Sequence, residues 1–292
     1  CSTAYSQDHF ALVGVQQASP WLKSMLKDPQ VGRSLNALID RASRIKARWP
    51  GVRRSLRRVA QSVQMPAPSL SVRAFGRAEV QVEGHTVSMP EWSTQSVRDL
   101  FFYLIFKGGP VTKEQIAAAL WPEVDEPQTL KQRFKAYLFR LRRATRRDAI
   151  LFDEEYYRFN FSLDYEYDVE AFETYLARSR MALTPAERIE HIQKAVDLVR
   201  GPYLSEVDLP WAIGERDRLE QACLAALESL AGLYLENGQF QQALETGQRA
   251  LKTDAYMEAV HQILMKAYAA QGDHPSIRRQ YQACQAALAE LG

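Results

Sequence analysis

Between Thr129 and Arg143 every charged side chain is a cation: Lys131, Arg133, Lys135, Arg140, Arg142 and Arg143. Long cations of this kind, with the Gln132 amide among them, hydrogen-bond phosphate oxygens and the edges of bases. Nothing comparable exists for bond-breaking chemistry. His9, His85, His191, His261 and His274 lie far apart, and no nucleophile elbow, phosphate-cradling glycine loop or zinc-protease helix occurs. The pattern predicts a binding protein, not an enzyme, that needs no cofactor. His85 sits beside a turn signal and reads as a surface residue.

The element that must position these cations is a helix. Leu130, Phe134, Leu138 and Leu141 recur at i, i+4, i+8 and i+11, which makes one apolar stripe. Lys131, Lys135, Arg142 and Arg143 project away from it. A helix buried on one side and cationic on the other is shaped to enter a DNA major groove. A solvated basic face on a bundle helix has the same periodicity, so the flanking elements must decide.

Leu70–Phe75 and Glu79–Val82 alternate with period two, and Glu83-Gly84 is a turn signal leading into His85–Met89, so a small antiparallel sheet is expected. A helix from Thr94 to Lys107 turns Val97, Leu100, Phe101, Leu104 and Ile105 inward and stops at Gly108-Gly109-Pro110. Thr112 and Gln115 spell a capping box for the next helix, which Trp121-Pro122 closes. The acidic loop Glu123-Val124-Asp125-Glu126 leads into the basic helix. Ile150–Phe152 and Tyr156–Phe161 then flank a turn at Asp153-Glu154-Glu155 as a hairpin. Sheet, three helices and hairpin, with the last helix basic, read as a winged helix-turn-helix over residues 69–165.

On either side the composition changes. Residues 1–68 hold 11 cations and 3 carboxylates (net +8), residues 69–165 hold 14 and 13 (net +1), and residues 166–292 hold 12 and 19 (net −7). A basic front suits a polyanion and an acidic back suits protein partners. Residues 1–65 read as a basic helical segment interrupted at Pro50-Gly51, either a phosphate-binding arm or an amphipathic connector whose cations are solvated. Met65-Pro66-Ala67-Pro68 is a stiff linker. Residues 166–292 read as all helix. A shift of 34 residues superposes Leu230 on Leu264, Tyr234 on Tyr268 and Gly238 on Gly272, with Ala250 opposite Cys284, which signals tetratricopeptide-like helix pairs. The fold class expected is therefore mainly α: a winged helix followed by an all-α tetratricopeptide-like domain.

Three cysteines, Cys1, Cys223 and Cys284, without a C-x-x-C pair argue against zinc and for a reducing cytoplasm, with Cys223 and Cys284 as core residues. No apolar run is long enough to cross a bilayer. The start at Cys1 rather than Met reads as a fragment of a longer chain.

Residues 70–292 resemble the SARP family of bacterial antibiotic regulatory proteins. The matching residues are Phe75-Gly76, Arg98 with Leu100, Gly109-Pro110-Val111-Thr112 leading to Leu120-Trp121-Pro122, and Leu138-Phe139-Arg140-Leu141-Arg142-Arg143. Tyr157, Asp168-Val169-Glu170-Ala171-Phe172, Gly201-Pro202-Tyr203-Leu204 and Trp211 complete the set. The resemblance implies a transcriptional activator with an OmpR/PhoB-type winged helix and a bacterial transcriptional activator domain. It implies double-stranded promoter DNA as partner, through Lys131, Gln132, Lys135, Ala136, Phe139, Arg140, Arg142, Arg143 and the wing residue Arg158. It also implies RNA polymerase, through Glu123, Asp125 and Glu126, and a homodimer on DNA. Arg can pair with guanine, Gln132 could read adenine and Phe139 could meet a thymine methyl. Arg140 could instead pair with the acidic loop. Two departures stand out. The wing tip carries carboxylates where the family carries glycines, and residues 1–65 lie outside the resemblance. The rival reading is a tetratricopeptide-type interaction scaffold or sensor without direct DNA binding.

Overall fold

The computed structural model describes residues 39–40, 44, 47–54, 57, 68–123 and 127–290. Its first unit is the winged helix. Strands β1 (Leu70–Arg73), β2 (Glu79–Val82) and β3 (His85–Thr86) form an antiparallel meander, as the period-two pattern predicts. Leu70, Val72 and Val80 face inward, and the turn at Glu83-Gly84 uses positive φ at both residues, 50° and 84°. The third strand is shorter than its sequence suggests. Ser88 and Glu91 form a capping box, with the Ser88 N–H donating to Glu91 at 2.7 Å, and this starts the short helix α1 (Met89–Trp92).

Helix α2 (Gln95–Lys107) is the centre of this unit, and Phe101 meets Phe102 and Phe159 edge-on at 5.6 and 5.9 Å. The capping box at the head of α3 (Lys113–Leu120) is present: Gln115 N–H donates to Thr112 Oγ1 at 3.3 Å, and Thr112 N–H to Gln115 Oε1 at 3.0 Å. Then come α4 (Pro127–Ala144) and the wing hairpin β5 (Ile150–Asp153) and β6 (Tyr156–Phe159). Val111–Thr112, read as loop and helix start, form β4 and pair with β6, giving the order β4-β6-β5.

Beyond Asp164 the chain is not all helix. Tyr165–Tyr167 form β7, parallel to β1, completing the sheet order β3-β2-β1-β7. Three residues are too few for a period to register, so the sequence hides this strand. Six helices follow: α5 (Asp168–Met181), α6 (Pro185–Leu198), α7 (Pro210–Glu236), α8 (Phe240–Thr253), α9 (Glu258–Ala270) and α10 (His274–Glu290). The 34-residue repeat is real in three dimensions. After α7 the Gln239 N–H donates to the Tyr234 carbonyl at 2.8 Å, and after α9 the Asp273 N–H donates to that of Tyr268 at 2.9 Å. Gly238 and Gly272 sit between at φ 72° and 74°, so both turns are Schellman caps of one geometry. Leu230, Leu264, Ala250 and Cys284 are buried, and so is Cys223.

The two units are joined by backbone pairing. Leu204 N–H donates to Ala74 O at 2.7 Å, Gly76 N–H to Pro202 O at 3.0 Å and Ser205 N–H to Gly76 O at 3.0 Å. At Gly201 a Cβ would lie 3.2 Å from Gly76 Cα, so two glycines let the chains approach. Arg216 of α7 fixes the incoming segment by donating to the carbonyls of Tyr203, Leu204 and Val207 at 2.7, 2.7 and 2.8 Å. Arg98 pairs with Glu206, and Trp211 packs on Tyr103 and Phe106 with ring centroids 5.4 and 5.3 Å apart.

The start of the chain departs from expectation twice. Residues 47–54 are helical straight through Pro50-Gly51, so the predicted interruption does not occur. Tertiary contacts of the following turn override local propensity. Nor are all its described cations solvated: Arg44 and Arg48 are exposed, but Arg53, Arg54 and Arg57 are engaged by the winged helix.

Candidate nucleic-acid interface

Helix α4 packs through the stripe its sequence spells. Phe134 and Leu141 are buried, with Leu130 and Leu138 partly so, and Tyr137 joins them against Trp121 at 5.1 Å. Turning 100° per residue puts Gln132, Ala136, Phe139 and Arg143 on the opposite side at i, i+4, i+7 and i+11. All four are exposed, and Phe139 is 67% exposed. Lys131 and Lys135 are exposed beside this ridge. Gln128 extends it by one turn and is also exposed, a residue that its spacing from Gln132 could have disclosed.

The flanks are tied down. Arg142 is half-buried and donates from Nη2 to the Ile150 carbonyl at 3.0 Å, so it fastens α4 to the first wing strand. On the other flank Arg133 pairs with Glu123 at 3.2 Å and lies 6.0 Å from the Trp121 ring. Arg140 sits 5.9 Å from the Tyr137 ring, and among the described residues it has no ion pair. Glu123 of the acidic loop, expected as a partner for Arg140, is thus taken by Arg133, which lies two turns nearer that loop. Asp125 and Glu126 lie outside the described residues.

The wing presents Arg158 outward on β6, in register with Leu151, while Tyr157 and Phe159 turn inward. Tyr157 packs on Phe134 and Phe152, both at 4.6 Å, and burial pushes its phenol up from the ordinary range, so it stays neutral. The tip is a two-residue turn. Glu154 and Glu155 take φ of 45° and 72°, a conformation that favours glycine and asparagine. Three exposed carboxylates, with Asp153, therefore crown the wing. The ridge and Arg158 can meet phosphate and base edges, whereas the crown repels phosphate.

Residues 167–292 match the family described as the bacterial transcriptional activator domain. That match spans the six helices α5–α10, so the helical part of the chain is similar to that family over its whole length. A winged helix followed by an activator domain is the SARP arrangement, and the resemblance drawn from sequence is borne out. Solved structures similar to the chain include Mycobacterium tuberculosis EmbR in complex with a low-affinity phosphopeptide. The TM-score is 0.64 at 19% identity, over 77% of this chain and 61% of EmbR, so the chain spans about three fifths of that protein's length. No curated protein sequence matches the chain. Phe75-Gly76, Arg98, Asp168, Gly201-Pro202-Tyr203-Leu204 and Trp211, which carry part of the resemblance, converge where the activator domain meets the winged helix. Their shared task is to seat one unit on the other. Among the described residues no helix is long and apolar enough to cross a membrane.

Proposed function

We propose that this chain is a transcriptional activator of the SARP kind that binds double-stranded promoter DNA through its winged helix. The observation that carries this reading is the exposed ridge of α4, backed by a buried apolar stripe. Gln132, Lys135, Ala136, Phe139 and Arg143 face the major groove, with Lys131 and Arg140 at its phosphate margins. Arg142 holds the wing to the helix and contacts phosphate with its remaining donors. Arg158 meets the backbone beside the wing, and the acidic tip stays out of the minor groove. The activator domain engages RNA polymerase or another protein, as does the loop that carries Glu123, Asp125 and Glu126, and a second copy of the chain binds the adjacent half-site.

Binding to mixed-sequence duplex across a salt series tests the reading. Several phosphate contacts make affinity fall steeply as salt rises. Negligible retention at low salt would leave the tetratricopeptide-type scaffold as the better reading. Selecting bound sequences from a random pool then gives the operator, and half-site spacing gives the oligomer geometry.

A further inference from the structure

The segment that joins the wing to the activator domain carries an acidic and aromatic notch, and a basic helix from early in the chain fills it. Arg57 pairs with Asp164, and its Nε lies 2.6 Å from Glu166. Arg53 lies 3.7 Å from Asp164. Arg54 stacks 4.3 Å over the Tyr165 ring and donates to the Phe161 carbonyl at 3.1 Å. The three arginines fall at i, i+1 and i+4, on one side of the helix. Two carboxylates thus answer Arg53 and Arg57, and a ring face and a carbonyl answer Arg54.

Guanidinium groups bind phosphate with the same donors that they offer a carboxylate. Arg53 and Glu166 are partly exposed, so their pairs are screened by salt, whereas Arg57 and Asp164 are largely buried and form the latch that must open before the helix leaves the notch. The notch also lies on the residues that lead from β6 through β7 into α5.

We propose that Arg53, Arg54 and Arg57 form a latent phosphate-binding arm: Asp164 and Glu166 hold Arg53 and Arg57 in cis, Tyr165 and the Phe161 carbonyl hold Arg54, and on release these cations add to the grip on duplex DNA. This rests on the reading of the chain as a DNA binder.

The test is the full chain carrying Asp164→Asn and Glu166→Gln, which keep the side-chain shapes and remove the charges. Trypsin cleavage after Arg53, Arg54 and Arg57 should become several-fold faster, with both units still folded by circular dichroism. Binding to a mixed-sequence duplex at about 0.1 M salt should tighten several-fold, with a salt slope steeper by about 2–3 for three added phosphate contacts. Adding Arg53→Gln, Arg54→Gln and Arg57→Gln should return affinity and slope to the parent values. A control pair, Asp217→Asn with Glu236→Gln, removes the same charge from exposed positions on α7 and should not reproduce the gain. Unchanged affinity, a gain that survives arginine replacement, or an equal gain in the control would overturn the arm. If neither parent nor variant binds duplex, the DNA-binding reading falls and the arm with it; a parent that binds and a variant that binds no better overturns the arm alone.

Discussion

The Asp168 carboxylate accepts the backbone N–H of Phe75 at 3.0 Å, so the first residue of the activator-domain helix α5 closes the end of the first winged-helix strand. It also accepts the Ala74 N–H at 2.9 Å and that of Val169 at 2.9 Å. Asp168→Ala leaves these buried donors without a partner and should cost about 1–3 kcal/mol. Denaturant unfolding followed at both units measures this. An unshifted midpoint would remove Asp168 from the account of the junction.

Acidity at the same junction should register in stability. Burial lifts the Asp99 carboxyl from 3.8 to about 6, with Arg98 opposing the lift and Glu206 adding to it. The folded chain therefore holds this proton more tightly than the unfolded chain does. The stability it contributes is complete below about pH 4 and is lost as pH rises through about 6, up to ~3 kcal/mol by linkage. Asp99→Asn should flatten the pH dependence of the melting temperature between pH 4 and 7. The role of Asp99 fails if the variant and the parent show the same slope.

At the wing tip, Glu154→Asn with Glu155→Gly supplies the residues that a turn with two positive φ angles favours. Stabilisation of about 1 kcal/mol is expected from relief of left-handed strain. The lost carboxylates should also strengthen duplex binding. A lower denaturation midpoint would show that the tip is not strained.

Arg143 and Arg142 should separate contact from scaffolding. Arg143→Ala touches nothing that holds the fold and should cost about 1–3 kcal/mol of DNA affinity at unchanged stability. Arg142→Ala should lose both affinity and stability, because the Ile150 carbonyl loses its donor. Equal stability in the two variants would reject the tie between α4 and the wing.

Leu141 is fully buried behind the ridge, and Leu141→Ala should destabilise the winged helix by roughly 2–5 kcal/mol. A melt that does not move would place the buried face elsewhere.

The parts that sequence discloses are those whose cause is local. The α4 stripe, the Thr112–Gln115 box, the hairpin around Glu154-Glu155 and the 34-residue spacing of Gly238 and Gly272 are each written within a few turns of chain. What it hides depends on a distant partner. Gly76 meets Pro202 and Arg57 meets Asp164, both across more than a hundred residues, and no neighbour of either announces the match. Strand β7 escapes for another reason: its three residues are held by β1 and carry no readable period of their own. For the ridge, the sequence separates Arg140 and Arg142 poorly. Both lie near the boundary of the buried face, and only packing shows that one rests on a ring and the other fastens a strand.

If the winged helix grips duplex DNA as proposed, a solenoid bolted to it by main-chain bonds has one azimuth around that duplex. Sliding the binding site by half a helical turn, about five base pairs, would swing the whole helical half to the far side of the DNA. For such a molecule the phase of the site, and not its sequence alone, decides which neighbour it can reach.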